Sequence, residues 1–345
     1  MNGKPNPLSP FPFREGGTQS ESFCSSPSAA RIRVGFIVGP TGVGKSALAL
    51  EIAGRIGAEI VNADSRQFYR GMDIGTAKPT AFERERVRHH LVDIRDPSEP
   101  VDVAAFAELA RAAIAETCRR GHAPLVVGGS GLYLRVLRGG IFDGPAASRE
   151  IRERLSALAD EHGTAHLHER LRTIDPDAAN RIGVNDRYRI VRALEVFELT
   201  GEPISAHQRR HRFAAAPFDT LTVGIAPDRA ELYAAIDRRF DAMAAAGLAE
   251  EVRALIAAGR GMGIAPMRAI GYKQIAAHLR GEMPLDEAIA LAKRDTRRLA
   301  KRQLTWFRAQ PEIVWLDPNR ATEQALELFR EFFSRKRGAS DADKN

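Results

Sequence analysis

The chain has 345 residues, 44% hydrophobic and 28% charged, which excludes a wholly disordered or fibrous protein and leaves room for about two domains, or one core domain with a large insertion. No run of about 18 apolar residues is present to span a membrane as a helix, and two cysteines, Cys24 and Cys118, exclude a disulfide scaffold or a four-cysteine zinc site and suit a reducing cytoplasm. The net charge is +7, and of 51 Lys+Arg only eight are lysine, a bias that fits oxyanion partners but that a GC-rich genome would also produce.

Residues 1–30 hold five prolines, many serines and no apolar period. They are expected to be a disordered tail, one reading being that they precede the natural start. They lack the pattern of a secretory signal, and an Arg-poor, Glu-containing stretch makes a poor mitochondrial transit peptide. Val34–Val38 reads as a buried strand, and after a glycine-rich loop the apolar spacing of Ala47–Ile56 predicts a helix. Glu59–Asn62 is a second strand, His90–Ile94 a candidate third, and Pro124–Val127 a fourth. Asp102–Arg120 reads as an amphipathic helix stopped by Gly121, and a further helix ends near Leu137. From about Ala146 to Arg212 only helical patterns occur, dense in arginine. Leu221–Ile225 looks like a returning sheet strand, with Asp228 as N-cap of a helix carrying Arg238 and Arg239. Helices follow to about Arg308, then a last strand Ile313–Leu316 and a helix from Thr322 to Phe333. The fold class is therefore α/β: a P-loop NTPase-like, doubly wound parallel sheet with an inserted all-helical domain. The expected divisions are a tail at 1–30, core at 31–142, helical insertion at 143–213, core with further helices at 214–335, and a tail at 336–345.

The sharpest motif is Gly39, Pro40, Thr41, Gly42, Val43, Gly44, Lys45 and Ser46, a full match to G-x-x-x-x-G-K-[ST] between a strand and a helix. Its glycines let backbone N–H groups turn onto an anion, Lys45 adds a point charge, and the Ser46 hydroxyl can ligate Mg²⁺. The loop binds a phosphate chain without saying whose. Asp64, Ser65, Arg66 and Gln67 follow the second strand, where the crevice of an open α/β sheet lies; a carboxylate there can be a general base, or merely cap a helix. The fourth strand ends in Gly128-Gly-Ser130 where a P-loop ATPase would carry an aspartate, which argues against a motor or switch ATPase. Ser130 itself could be only an N-cap. Arginines mix with aromatics at Tyr188–Arg192, Arg268–Lys273 and Lys301–Arg308, as an RNA surface would require and as a solvated helix face would also show. No histidine spacing suits a metal, and no acyl-transfer triad is present.

With GPTGVGKS (39–46), NADSRQFYRGMDIGTAKP (62–79), HHLVDIRDP (89–97), VVGGSGLY (126–133), NDRYRIVRALEVFELTG (185–201), RAIGYKQ (268–274) and KRQLTWFR (301–308) in this order, the chain resembles the bacterial tRNA dimethylallyltransferases, also called tRNA isopentenyltransferases, from about residue 31 to 316. The resemblance implies that the P-loop holds the diphosphate of dimethylallyl diphosphate rather than ATP. The isoprenoid group would pass to the exocyclic amine of adenosine 37, beside the anticodon, in tRNAs reading codons that begin with U. Mg²⁺ would assist through Ser46.

Asp64 matches the family's general base. Thr41, Lys45 and Ser46 would stabilise the leaving diphosphate, with Arg239 clamping it from across the crevice and Arg238 as the alternative. Ser130 stands where many members carry threonine and keeps the hydroxyl. The implied tRNA contacts are Asp64, Ser65, Arg66, Gln67, Ser130 and Arg152; Tyr188, Arg189, Ile190, Val191 and Arg192; Arg268, Ala269, Ile270, Gly271, Tyr272 and Lys273; and Lys301, Arg302, Gln303, Leu304, Thr305, Trp306, Phe307 and Arg308. The insertion would close over the anticodon stem-loop. A cytoplasmic monomer without membrane contact is expected. Two other readings remain, a P-loop small-molecule kinase and a nonenzymatic RNA-binding protein with a relict P-loop; the kinase has no need of Asp64-Ser-x-Gln67 or KRQ-x-TW-x-R.

Overall fold

A computed structural model describes residues 31–140, 144–145, 147–211 and 217–335. The expected tails at 1–30 and 336–345, and the joins at 142/143 and 213/214, lie outside the described residues. The first strand, β1 (Ile32–Val38), sends Val34, Phe36 and Val38 into one core cluster and Ile37 into another. A period of two that is apolar on both faces places a strand inside a sheet covered by helices on both sides. Each such fully buried side chain contributes about 1.5–3 kcal/mol.

The chain continues through α1 (Lys45–Ile56), β2 (Ala58–Asn62), α2 (Ala81–Arg86), β3 (His89–His90), α3 (Val103–Arg119), β4 (Ala123–Gly128) and α4 (Gly131–Gly139). Five helices follow: α5 (Arg149–His162), α6 (Thr164–Ile174), α7 (Pro176–Arg181), α8 (Arg187–Thr200) and α9 (Ile204–His211). The sheet resumes with β5 (Phe218–Ile225), then α10 (Arg229–Ala245), α11 (Leu248–Ala257), α12 (Tyr272–Leu279), the 24-residue α13 (Leu285–Arg308), β6 (Ile313–Leu316) and α14 (Ala321–Ser334). Among the described residues the strands form one parallel sheet in the order β3-β2-β4-β1-β5-β6.

Register decides what this sheet presents. Val38 pairs with Gly128 on one side and with Gly224 on the other, and Asn62 pairs with Val127. The segments leaving β1, β2 and β4 therefore emerge abreast at one edge, the carboxyl edge, where open α/β sheets bind ligands.

The third strand is shorter than His90–Ile94. Leu91 and Asp93 have φ of 62° and 58°, a left-handed backbone that ends pairing after two residues. The turn delivers Asp93 to Lys78 and Arg84. Helices α5, α6, α7 and α8 enclose their own apolar cluster, in which Leu155, Leu167, Leu171, Ile190 and Leu194 are fully buried. Asp175 caps α7 through Ala178 N–H and accepts from Ser205 N–H at the start of α9, so a single buried carboxylate ties two of these helices.

Candidate active site

The P-loop follows from local geometry. Gly42 and Gly44 have φ of 85° and 89°, a backbone that side chains disfavour, and Gly44 starts α1 with no side-chain cap. The first N–H groups of the helix stay open for an anion. Lys45 is half-buried, with its ammonium turned inward to donate to the Pro40 carbonyl at 2.6 Å. Burial, and then the charge of Arg239, push its pKa down to about 7, against the pull of Asp64.

A bound diphosphate would draw a proton back onto Lys45. Without Mg²⁺, inorganic diphosphate is then expected to bind at pH 8 with more proton uptake than in Lys45→Met, and Lys45's contribution to affinity to fade as pH rises through 7 to 9. Calorimetry in buffers of different ionisation enthalpy measures this; equal uptake by Lys45→Met, which leaves only the ligand's own titration, would refute it.

Asp64 leaves the end of β2 without capping a helix. Its Oδ1 accepts from Arg66 N–H at 2.9 Å, and Oδ2 has no hydrogen-bond partner among the described residues. Asn62 fixes the turn beneath it: its Oδ1 accepts from Asp64 N–H, and its Nδ2 donates to the Leu91 carbonyl at 3.0 Å. Ser130 occupies the N-cap position of α4, yet its hydroxyl makes no capping bond. Asp64, Ser130, Thr41 and Arg239 share the lining of one cavity of about 510 Å³, closed on its apolar side by Tyr133, Ile236, Phe240, Met243 and Leu299. A smaller annex of about 70 Å³ is lined by Lys45, Ser46, Asp64, Gln67 and Arg239. Arg239 donates to the Thr76 carbonyl at 3.4 Å, and burial lowers its pKa against the pull of Asp64. Arg238 is exposed on the other side of α10, so of the two neighbours only Arg239 lines the crevice.

The crevice floor is set by close approaches. A Cβ on Gly128 would lie 2.5 Å from the Ala63 carbonyl oxygen, and one on Gly131 2.6 Å from the Trp306 ring. Gln303 spans the loops: its Oε1 accepts from Thr41 N–H and its Nε2 donates to the Gly129 carbonyl, both at 2.9 Å. One residue of α13 thus ties the P-loop to the turn after β4.

Residues 67–310 match the family model described as IPP transferase. The chain belongs to the IPP transferase family. A tRNA dimethylallyltransferase of Syntrophobacter fumaroxidans is 54% identical over 281 residues, 81% of this chain and 82% of that one. The crystal structure of the tRNA isopentenylpyrophosphate transferase of Bacillus halodurans aligns with a TM-score of 0.65 at 38% identity, over 87% of this chain and 96% of that one. A eukaryotic dimethylallyltransferase acting on tRNA aligns with a TM-score of 0.76 at 27% identity, over 90% and 81%. The doubly wound sheet is thus that of the IPP transferase family.

For this IPP transferase the arginine-rich segments divide by burial. Ile190, Val191 and Phe307 are buried and hold up the surface; Tyr272 is buried as well, in the wall of the cavity. Gly271 is buried too, and Ala269, Ile270 and Leu304 are half-buried. Gln67 spends its Nε2 on the carbonyls of Thr76 and Ala77, so it holds the 71–79 loop. Trp306 lies over Gly131 beneath the Arg135 guanidinium, 5.3 Å from the ring centre. Arg152 and Arg192 are committed to the fully buried Glu195. Burial opposes that carboxylate's ionisation, but bonds from both arginines and from Ser148 N–H outweigh it and keep its pKa below the usual value. Facing outward are Tyr188, Arg189, Arg268, Lys301, Arg302, Thr305 and Arg308. Arg268, Lys301, Arg302 and Arg308 form no ion pair among the described residues. Ser65 and Arg66 are half-buried at the cavity mouth, and half-buried Lys273 pairs with Asp295 at 3.5 Å. The KRQ-x-TW-x-R motif marks Gln303 but not its role as a bridge, and no local pattern marks Glu251.

Proposed function

We propose that this enzyme transfers the dimethylallyl group of dimethylallyl diphosphate to the exocyclic amine of adenosine 37 in tRNAs reading codons that begin with U. The observation that carries the reading is the open oxygen of Asp64 facing, across one cavity, the P-loop and Arg239. Family membership supplies the substrate class, and the outward cations of α13 supply a surface for a polyanion.

In the reaction the C1–oxygen bond of the donor breaks and a C1–nitrogen bond forms. Lys45, the open N–H groups of α1 and Arg239 hold the departing diphosphate, where negative charge grows. Asp64 takes the proton that the amine loses, because an exocyclic amine is a poor nucleophile whose proton must leave as the bond forms. The flipped base fits between Asp64 and the apolar wall, at a cost lowered by its single-stranded loop. Mg²⁺ fits the residues present: among the described residues no cluster of three carboxylates, histidines or cysteines could cage a metal, whereas the Ser46 hydroxyl and diphosphate oxygens together suit it. Bound there, it would neutralise charge on the leaving group.

The test is a transfer assay with labelled dimethylallyl diphosphate, Mg²⁺ and unmodified tRNA, with the digested nucleosides weighed by mass spectrometry. An adenosine gaining one dimethylallyl group in an Asp64-dependent manner is the expected result. ATP consumption with a small acceptor and no transfer would establish the kinase instead.

A further inference from the structure

Residues 73–77, the turn that carries Thr76 to the cavity wall, are held from behind by a residue far away in sequence. Glu251, on α11, accepts from the N–H groups of Asp73 at 2.9 Å and Ile74 at 2.7 Å through Oε2. Its Oε1 accepts from Gly75 N–H at 3.2 Å and from the Tyr272 hydroxyl at 2.6 Å. Four donors on one carboxylate make a strong and directional anchor, since bonds to a charged acceptor are about twice as strong as neutral ones. Tyr272 is fully buried, and its ring packs so closely on Gly75 that a Cβ there would lie 2.5 Å from it.

The far side of this turn meets the reaction site. The Thr76 carbonyl accepts from Arg239 at 3.4 Å and from Gln67 at 3.1 Å. The chain of contacts therefore runs from Glu251 through the backbone of the turn to one carbonyl, and from that carbonyl to the guanidinium facing Lys45 and Asp64.

We propose that Glu251 is a positioning residue for the diphosphate clamp: it sets the Thr76 carbonyl, which in turn aims Arg239 into the cavity. It does not line the cavity; its effect on Arg239 passes through the turn. This inference rests on the reading of the cavity as a diphosphate site.

Inorganic diphosphate binding to the full chain, with Mg²⁺ present, tests it together with tRNA binding. Glu251→Ala is expected to weaken diphosphate about ten-fold while tRNA affinity stays within about three-fold, the size of effect that loss of one hydrogen-bonded charge contact produces. Glu251→Gln, which keeps one carbonyl oxygen for the turn, is expected to fall between the two. A double-mutant cycle separates aim from mere support: in Arg239→Ala, adding Glu251→Ala should weaken diphosphate by less than two-fold more, because the group it positions is already gone. Additive losses in the cycle would overturn the inference, as would Glu251→Gln and Glu251→Ala both binding diphosphate as the wild type does while Arg239→Ala fails. Should Glu251→Ala not fold, Glu251→Gln with the same cycle decides alone. If Arg239→Ala itself binds diphosphate normally, the clamp is wrong and the inference falls with it, whereas loss of binding only in Lys45→Met keeps the P-loop reading intact.

Discussion

Replacing Asp64 with asparagine is expected to lower the single-turnover rate of transfer by about 10²–10⁴-fold, the usual contribution of a positioned general base, while tRNA affinity stays within about three-fold. Asparagine can keep the Oδ1 contact to Arg66 N–H, so the turn after β2 survives. What vanishes is the open, charged Oδ2 facing the cavity. Loss confined to the chemical step is the signature of a group used in the transition state rather than in binding. A single-turnover rate within ten-fold of the wild type at saturating tRNA would remove Asp64 from the role of base.

Gly128→Ala is the second large effect. The added methyl would sit 2.5 Å from the Ala63 carbonyl oxygen, 2.7 Å from its Cβ and 2.8 Å from its carbonyl carbon. Two of these three atoms are backbone, so no side chain can swing away. Ala63 is also bonded to β4 through its N–H to the Val127 carbonyl at 2.8 Å, so relief must move the end of β2. Overpacking of this kind costs about 1–3 kcal/mol. The residue after Ala63 is Asp64, and a displacement of about 1 Å at a reacting group can cost about 100-fold in rate. The expected outcome is a folded protein that melts several degrees lower and loses about 100-fold in kcat/KM. A variant with normal kcat/KM and an unchanged melting temperature would show that β2 and β4 separate more freely than their register implies.

The parts legible in the sequence are those whose chemistry is local. A strand running into Gly39–Ser46 and then a helix constrains its own backbone, and the strand periods of Val34–Val38 and Pro124–Val127 record burial on both faces. The failures come from position in space. His90–Ile94 reads as a strand because its side chains suit one, but the left-handed backbone at Leu91 and Asp93 answers to Lys78, Arg84 and Asn62, which lie elsewhere along the chain. At 301–308 the cations face outward, but Phe307 is 1% exposed and Trp306 covers a glycine, so the two aromatics that stood beside the cations in the sequence belong to the packing. Gln303 reaches a partner 262 positions earlier, and Glu251 partners 176 to 178 positions earlier, which no local pattern encodes. The three glycines at 128, 129 and 131 suggest a tight turn, whereas the space they leave is taken by Ala63, Gln303 and Trp306.

The long helix α13 has a mechanical meaning. Its 24 residues form a rod of about 36 Å. Near one end it offers Lys301, Arg302 and Arg308 to solvent, and between them Gln303 grips the P-loop and the turn after β4. A rigid element cannot yield at one face and stay fixed at the other. A polynucleotide bound on the outer face would act on the phosphate cradle through Gln303, and a tightened cradle would act back on the outer face by the same route. Thermodynamic reciprocity makes such coupling symmetric: whichever of the two molecules binds first would change the affinity for the other by the same factor.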